Sequence, residues 1–158
     1  MKLIIFDVDG TLTTTKSGAT FRKTADDWQW LPGRVEKCQQ LRGKGIKIAL
    51  ASNQAGVAFP WSKFNEEEIA FEIGTVAYEV SASYTGICYS TPNEKALPQY
   101  HNANDTRRKP GPGMLLEAIA ACGTVPDETL MVGDRDEDEA AARAACASFM
   151  HAAQFFAE

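Results

Sequence analysis

The stretch Leu3-Ile4-Ile5-Phe6-Asp7-Val8-Asp9-Gly10-Thr11-Leu12 constrains the chain more than any other. Four apolar residues in a row are too few for a helix and show no polar alternation. They read as a short strand buried on both faces, as in the middle of a parallel sheet. Two carboxylates follow, then Gly10, where the chain can turn. In open α/β sheets, ligands bind beyond the carboxyl ends of the strands, so Asp7 and Asp9 are expected at the rim of a cleft. Two aspartates this close repel each other when ionised. A divalent cation relieves that repulsion, and an all-oxygen donor set favours Mg²⁺. Taken alone, the same residues also describe an Asp-Gly turn after a strand.

With 158 residues the chain has the size of one domain with a full core, and residues 1–158 are read as one unit. A net charge of −5 carries no global basic signature, so any nucleic-acid contact needs a local basic patch. Cys38, Cys88, Cys122 and Cys146 form no C-x-x-C pair and read as reduced cytosolic thiols. No apolar run reaches membrane-spanning length, and the N-terminus enters a strand directly. A cytoplasmic chain without signal peptide or membrane contact is the expectation.

After the first strand, residues 13–27 are polar and read as a loop or loose hairpin flap carrying Lys16, Arg22 and Lys23. Trp28 and Trp30 alternate around Gln29, an extended piece with both rings packed on one face. Leu31-Pro32-Gly33 opens a helix with apolar Val35, Cys38 and Leu41, ended by Gly43 and Gly45. Residues 46–51 form a second strand running into Ser52-Asn53-Gln54. A helix between two apolar strands implies a right-handed βαβ unit and a parallel sheet. That puts Ser52 and Asn53 on the same rim as Asp7, with groups able to bond phosphate oxygens.

Ser62 reads as the N-cap of a helix with Glu66, Glu67 and Glu68 in its early turns and an apolar stripe of Ile69, Ile73, Val76, Ala77 and Val80. Residues 86–90 suggest a third strand. A polar loop then ends in Arg107-Arg108-Lys109-Pro110-Gly111-Pro112-Gly113 and leads into a helix with Met114, Leu115, Ala118, Ile119 and Cys122. Thr129–Val132 is the fourth strand, and Gly133-Asp134-Arg135-Asp136-Glu137-Asp138 follows at its carboxyl end. An Ala-rich helix and an edge strand near 147–150 close the chain, with a tail from His151 to Glu158 expected to pack on the domain.

The strand ends therefore converge Asp7, Asp9, Ser52, Asn53, Lys109, Asp134 and Asp138. Carboxylates with one hydroxyl, one lysine and no dedicated histidine suit phosphate transfer better than serine-type hydrolysis. A phosphate dianion approaches carboxylates only with a metal and a lysine beside them.

This ordered set resembles the haloacid dehalogenase superfamily of phosphohydrolases across nearly the whole chain. The matching segments are D-x-D-G-T-L at Asp7 to Leu12, Ser52 in Ala-Ser-Asn-Gln, Lys109 in Arg-Lys-Pro-Gly-Pro-Gly-Met, and Gly-Asp-x-x-x-Asp from Gly133 to Asp138. The resemblance implies a three-layer, Rossmann-like α/β fold with a central parallel sheet. It implies Asp7 as nucleophile, forming a phospho-aspartate, and Asp9 as general acid, then base. Ser52, Asn53 and Lys109 are implied on the phosphoryl oxygens. Mg²⁺ is implied on Asp7, the Asp9 backbone carbonyl and Asp134, with Asp138 in the metal set, in its water shell or orienting Lys109. The intervals between motifs leave no room for a separate cap domain, so the chain resembles the capless group, with an open site suited to an extended substrate.

Two capless subgroups fit. The polynucleotide 3′-phosphatase domain is resembled in Ser17-Gly18, Phe21, Asp27-Trp28, Ser52-Asn53-Gln54 with Gly56-Val57, and Arg108-Lys109-Pro110 with Gly113-Met114. This match favours nucleic-acid 3′ ends as substrate, with Lys16, Arg22, Lys23, Arg107 and Arg108 as local contacts. The histidinol-phosphate and heptose-bisphosphate phosphatases share the core motifs, and Gly133 to Asp138 with Glu137 is closer to theirs. Many of them carry a zinc loop ending in Cys-x-Cys before Arg-Lys-Pro. Here Asp105, Thr106 and Arg107 stand there, with Cys88 and His101 nearby, and no structural zinc is expected. No G-x-x-x-x-G-K-[ST] loop is present, which argues against a P-loop kinase. A different class, a non-catalytic receiver-like phosphate-sensing module, also clusters aspartates, a hydroxyl and a lysine. It lacks the acid/base two residues after the nucleophile.

Overall fold

The computed structural model describes residues 1–157. Strand β1 (Leu3–Phe6) is followed by a small antiparallel ribbon, β2 (Thr13–Thr14) and β3 (Gln29–Trp30). Then come helix α1 (Arg34–Gly43), β4 (Lys47–Asn53), α2 (Glu66–Val80), β5 (Tyr84–Cys88) and α3 (Gly113–Ala121). The chain continues through β6 (Thr129–Gly133), α4 (Asp136–Ala144), β7 (Ser148–His151) and the short α5 (Ala152–Phe155). The five longer strands form one parallel sheet in the order β5-β4-β1-β6-β7.

All four residues of β1 are buried, which its unbroken apolar run dictates. The two-residue period of a strand splits them between two cores. Ile4 and Phe6 join Cys38 and Leu41 of α1, Ile69, Ile73 and Val76 of α2, and Ile48 and Leu50. Leu3 and Ile5 join Met114, Leu115 and Ala118 of α3, Ala141 and Ala142 of α4, and Met131. The sheet is thus the middle of three layers, the arrangement expected of an α/β chain whose strands are apolar on both faces. Phe155 and Phe156 close the first core, their ring centroids 5.6 and 5.9 Å from that of Phe6. The Arg34 guanidinium lies 4.1 Å from the centre of the Phe156 ring. The tail packs as expected up to residue 157; Glu158 lies outside the described residues.

The strands run slightly differently from the sequence reading. β4 continues through Ser52 and Asn53, because both keep partners on β5 at Ile87 and Cys88. β5 begins at Tyr84, paired with Ala49, rather than at Gly86. The helix α2 is capped by Asn65 and not by Ser62. The Asn65 side chain accepts from the Glu68 N–H at 2.9 Å, and the Glu68 carboxylate accepts from the Asn65 N–H at 3.3 Å. That reciprocal pair satisfies two orphan donors, which a serine three residues earlier cannot reach. Trp28 and Trp30 do share a face, edge to face at 5.7 Å, and the Trp28 indole donates to Glu72 at 2.8 Å, tying the ribbon to α2. Among the described residues no helix is long and apolar enough to cross a membrane. Cys38, Cys88 and Cys122 are buried, and burial pushes the Cys38 thiol up to about 12, which makes it inert.

Replacing the α2 cap, Asn65→Ala, is expected to cost about 1 kcal/mol of stability, the usual worth of such a cap. Equilibrium urea unfolding checks this, while Ser62→Ala is expected to leave α2 capped.

Candidate active site

From β1 the chain moves outward through β4 to β5, then returns to the other side of β1 as β6 and moves out again to β7. The connections on either side of β1 therefore diverge, and a crevice opens at the strand ends between β1 and β6. The register brings the constellation to one level. Phe6 pairs with both Leu50 and Val132, so Asp7, Ser52 and Asp134 stand within about a residue of the same level across the sheet.

Lys109 lies at the centre. Its side chain is 1% exposed, and its ammonium donates to Asp7 Oδ1 at 2.9 Å and to Asp138 Oδ1 at 2.7 Å. Burial pulls the ammonium's pKa down, but Asp7 and Asp138 more than reverse this and hold it above its ordinary value. Burial acts on Asp7 in the opposite sense, raising its carboxyl to about 8 even against the pull of Lys109. A cation beside Asp7 would return it to the ionised form that a nucleophile requires.

The chemistry of the donors fits such a cation. Carboxylate oxygens of Asp7, Asp134 and Asp138 lie within 4.8 Å of one another. Thr11 donates to Asp7 Oδ2 and to Asp134 Oδ1, each at 3.4 Å. Gly10 has φ +86°, and a Cβ there would collide with the Asp134 carboxylate. Only glycine combines that backbone with that approach. No hydrogen bond from the described residues reaches the Asp9 carbonyl oxygen, which leaves it free to serve as a ligand.

Asp138 belongs to that carboxylate group and also meets Lys109. One oxygen takes the Lys109 ammonium, and the other accepts the Arg135 N–H at the start of α4 at 3.1 Å. The residue is fully buried, and each of its oxygens accepts a hydrogen bond. Asn53 is placed differently from the phosphate contact read from sequence. Its amide donates to the Lys109 carbonyl at 2.9 Å and accepts the Lys109 N–H at 3.1 Å. It clamps the loop that delivers the lysine. Ser52 is buried on the rim as expected, and its hydroxyl accepts from Gln54 Nε2 at 2.8 Å.

Asp9 is held from two sides. Gln54 Nε2 donates to Oδ2 at 2.8 Å, and Arg22 donates to Oδ1 through Nε at 3.1 Å and Nη2 at 2.8 Å. Arg22, read from sequence as a substrate contact, is therefore engaged with the would-be acid, its side chain only 4% exposed. Asp27 keeps the flap in shape. It accepts from the Ser17 hydroxyl at 2.7 Å, the Ser17 N–H at 2.9 Å and the Lys23 N–H at 2.9 Å. Those bonds, the Ser17 hydroxyl foremost, hold its carboxyl down at about 2.

The site opens into a cleft of about 900 Å³ that Asp7, Asp9 and Asp134 line together with Lys23 and Arg108. Lys16 does not line it, and Arg107 points away into an ion pair with Glu117 at 2.7 Å. Further lining comes from Phe21, named above in the flap match, and from residues the sequence reading did not single out: Phe59, Trp61, Lys63 and Arg135. Thr11 and Gln54 were also missed, although each stands inside a motif. A second hollow beside α2, lined by Thr24, Lys63, Glu68 and Phe71, holds none of the constellation. Where a zinc loop was considered, Ser90 donates to Asp105 at 2.7 Å beside the Cys88 thiol.

The family model for the polynucleotide kinase 3 phosphatase matches residues 2–158. The D-glycero-beta-D-manno-heptose-1,7-bisphosphate 7-phosphatase of Pasteurella multocida is 31% identical over 147 residues, covering 91% of this chain and 77% of that protein. The bifunctional polynucleotide phosphatase/kinase of Schizosaccharomyces pombe is 46% identical over 57 residues, covering 35% of this chain and 14% of that protein. Among solved structures, the D,D-heptose 1.7-bisphosphate phosphatase from B. bronchiseptica, complexed with magnesium and phosphate, superposes with TM-score 0.70 at 26% identity. That match covers 94% of this chain and 79% of the other. A fold of this topology with this site is a phosphatase of the haloacid dehalogenase superfamily. Within it, the chain belongs to the polynucleotide kinase 3 phosphatase family and is related to the heptose-bisphosphate phosphatases. Being an enzyme, it is not the receiver-like module also considered from sequence.

Because Arg22 meets Asp9, Arg22→Ala is expected to lower kcat about tenfold with little change in KM, part of the usual worth of a positioned acid. Steady-state kinetics on p-nitrophenyl phosphate decide this. A rise in KM at constant kcat would return Arg22 to the substrate contacts.

Proposed function

We propose that this chain is a magnesium-dependent phosphomonoesterase that works through a phospho-aspartate on Asp7, and that its substrate is a nucleic-acid strand ending in a 3′-phosphate. The observation that carries the substrate is the lining of the cleft. Exposed aromatic rings and the cations Lys23, Lys63, Arg108 and Arg135 border the carboxylates. Cations that follow a phosphate backbone beside aromatic faces are the usual means of holding a single strand. The whole-length family match and the local similarity to the S. pombe protein support the same reading.

The chemistry runs in two steps. An Asp7 oxygen attacks phosphorus, the P–O bond to the leaving alcohol breaks, and Asp9 gives that oxygen its proton. Asp9 then takes a proton from water, the water oxygen attacks the phosphoryl group, and Asp7 leaves as the carboxylate. Lys109 and Ser52 hold the phosphoryl oxygens throughout, and Arg22 and Gln54 keep Asp9 oriented. Asp7, Asp134 and the Asp9 carbonyl would hold Mg²⁺, whose bound charge offsets that of phosphate among carboxylates.

A second reading, a small sugar phosphate as substrate, is favoured by the 31% identity to the P. multocida heptose-bisphosphate phosphatase over 91% of this chain. Phosphate release from a 3′-phosphorylated oligonucleotide, histidinol phosphate and a heptose bisphosphate separates the two. The expected result is a kcat/KM advantage of more than about a hundredfold for the oligonucleotide, roughly 2.7 kcal/mol of transition-state binding. An equal or greater rate on the heptose would give the site to the second reading. In the same assay Asp7→Asn is expected to release no phosphate, and EDTA to stop the unaltered protein until Mg²⁺ is restored. Turnover by Asp7→Asn would refute covalent catalysis at that residue.

A further inference from the structure

Resting on the nucleic-acid reading above, we propose that Trp61, backed by Phe59, is the surface on which a base of the 3′-phosphorylated strand stacks. The two rings lie face to face, centroids 4.9 Å apart and planes within 12°. Neither belongs to either apolar core. Trp61 is 63% exposed, an unusual state for so large an apolar side chain. Phe59 covers one face of the indole, so a flat ligand has the opposite face to use. Both rings line the cleft that holds Asp7, Asp9 and Asp134.

The platform is set rigidly. The Phe59 N–H donates to the Ser62 hydroxyl at 3.1 Å, the Ser62 N–H returns to the Phe59 carbonyl at 3.0 Å, and the Leu97 N–H bonds the Ala58 carbonyl at 2.7 Å. A preformed ring loses little entropy on stacking. The segment follows directly from Gln54, the residue that holds Asp9, so a base seated here belongs to the strand whose end is being processed. Lys63 and Arg108 border the same cleft and offer charge for the backbone phosphates between base and reacting end. By contrast, the exposed Phe71 and Tyr78 stand on α2, outside this cleft, and Phe71 lines the second hollow among Asp26, Glu67, Glu68 and Glu72, carboxylates that would repel a phosphate backbone.

The test compares the full chain with Trp61→Ala and Trp61→Phe on three substrates: a 3′-phosphorylated oligonucleotide, the same strand abasic at its 3′ end, and p-nitrophenyl phosphate. Trp61→Ala is expected to raise KM about tenfold on the oligonucleotide, with kcat within about twofold, as the loss of one stacked base predicts. Trp61→Phe should restore most of the affinity. The abasic strand should bind the unaltered protein as weakly as the intact strand binds Trp61→Ala, and should be indifferent to the substitution. The p-nitrophenyl phosphate kinetics should not change. Equal losses on p-nitrophenyl phosphate would make Trp61 a structural residue and overturn the inference. Equal losses on intact and abasic strands would also overturn it, because the ring would then meet sugar or backbone. If the unaltered protein shows no preference for the oligonucleotide over a heptose bisphosphate, the functional reading fails and the inference falls with it. A clear oligonucleotide preference that Trp61→Ala leaves intact overturns the inference alone.

Discussion

A lysine ammonium buried between two carboxylates is the interaction on which the rest of the site depends. Lys109 bridges Asp7 at the end of β1 and Asp138 in the first turn of α4. Removing one member of such a buried pair leaves an uncompensated charge, at a cost of about 3–5 kcal/mol. The surroundings are built to keep it whole. Asn53 holds the lysine's backbone on both sides, and the Arg135 N–H fixes the far oxygen of Asp138. A Cβ at Gly133 would strike the Asp138 carboxylate, so the strand end must be bare to admit it. Three segments distant in sequence are thereby locked to one point, and the nucleophile is presented with its counter-charge in place.

The second carboxylate obeys different physics. Asp9 is only partly buried, and it is held by Gln54 and by Arg22 from the flap. In the mechanism proposed above, a group that gives and then takes a proton needs reach and solvent, which deep burial would deny, and the flap then belongs to the catalytic unit. Asp27 shapes its backbone, the Trp28 indole ties its base to α2, and its arginine touches the acid. The cleft is walled by this flap and by the segment after β4. On the nucleic-acid reading proposed above, the aromatic and cationic lining is what bears on specificity.

Much of the site was legible because catalytic groups at strand ends leave a local signature: a short apolar run followed at once by polar residues. Asp7, Asp9, Ser52 and Asp134 show that pattern, and Lys109 shows instead as a cation in a Pro- and Gly-fixed loop before a helix. The pairing was legible only as alternatives, Asp138 orienting Lys109 among them. Asn53 and Asp138 stand beside the phosphate and metal positions in sequence, yet their polar atoms are taken up by the Lys109 loop and the α4 start. Lys16, Arg22, Lys23, Arg107 and Arg108 look alike as surface cations. Only the fold separates Arg107, paired with Glu117, from Arg22, Lys23 and Arg108 at the cleft, and puts Arg22 on Asp9. The α2 cap was missed for a related reason, since Ser62 and Asn65 are both good capping residues. The helix start is decided by which one can close a reciprocal bond with Glu68.

The sequence by itself determined the layered α/β architecture, because apolar runs too short for helices, alternating with helical stripes, can be buried only as a parallel sheet between helices. It also determined which residue types meet at the sheet's carboxyl end, because strand direction sends every strand's end to the same edge. The tertiary structure alone decided which charge neutralises which, how Asp9 is oriented, and that Phe59 and Trp61 face the cleft together. The reason is one of range: backbone periodicity is set by neighbours a few positions apart, whereas an ion pair or a stacked ring is set by groups that meet only after the chain has closed on itself.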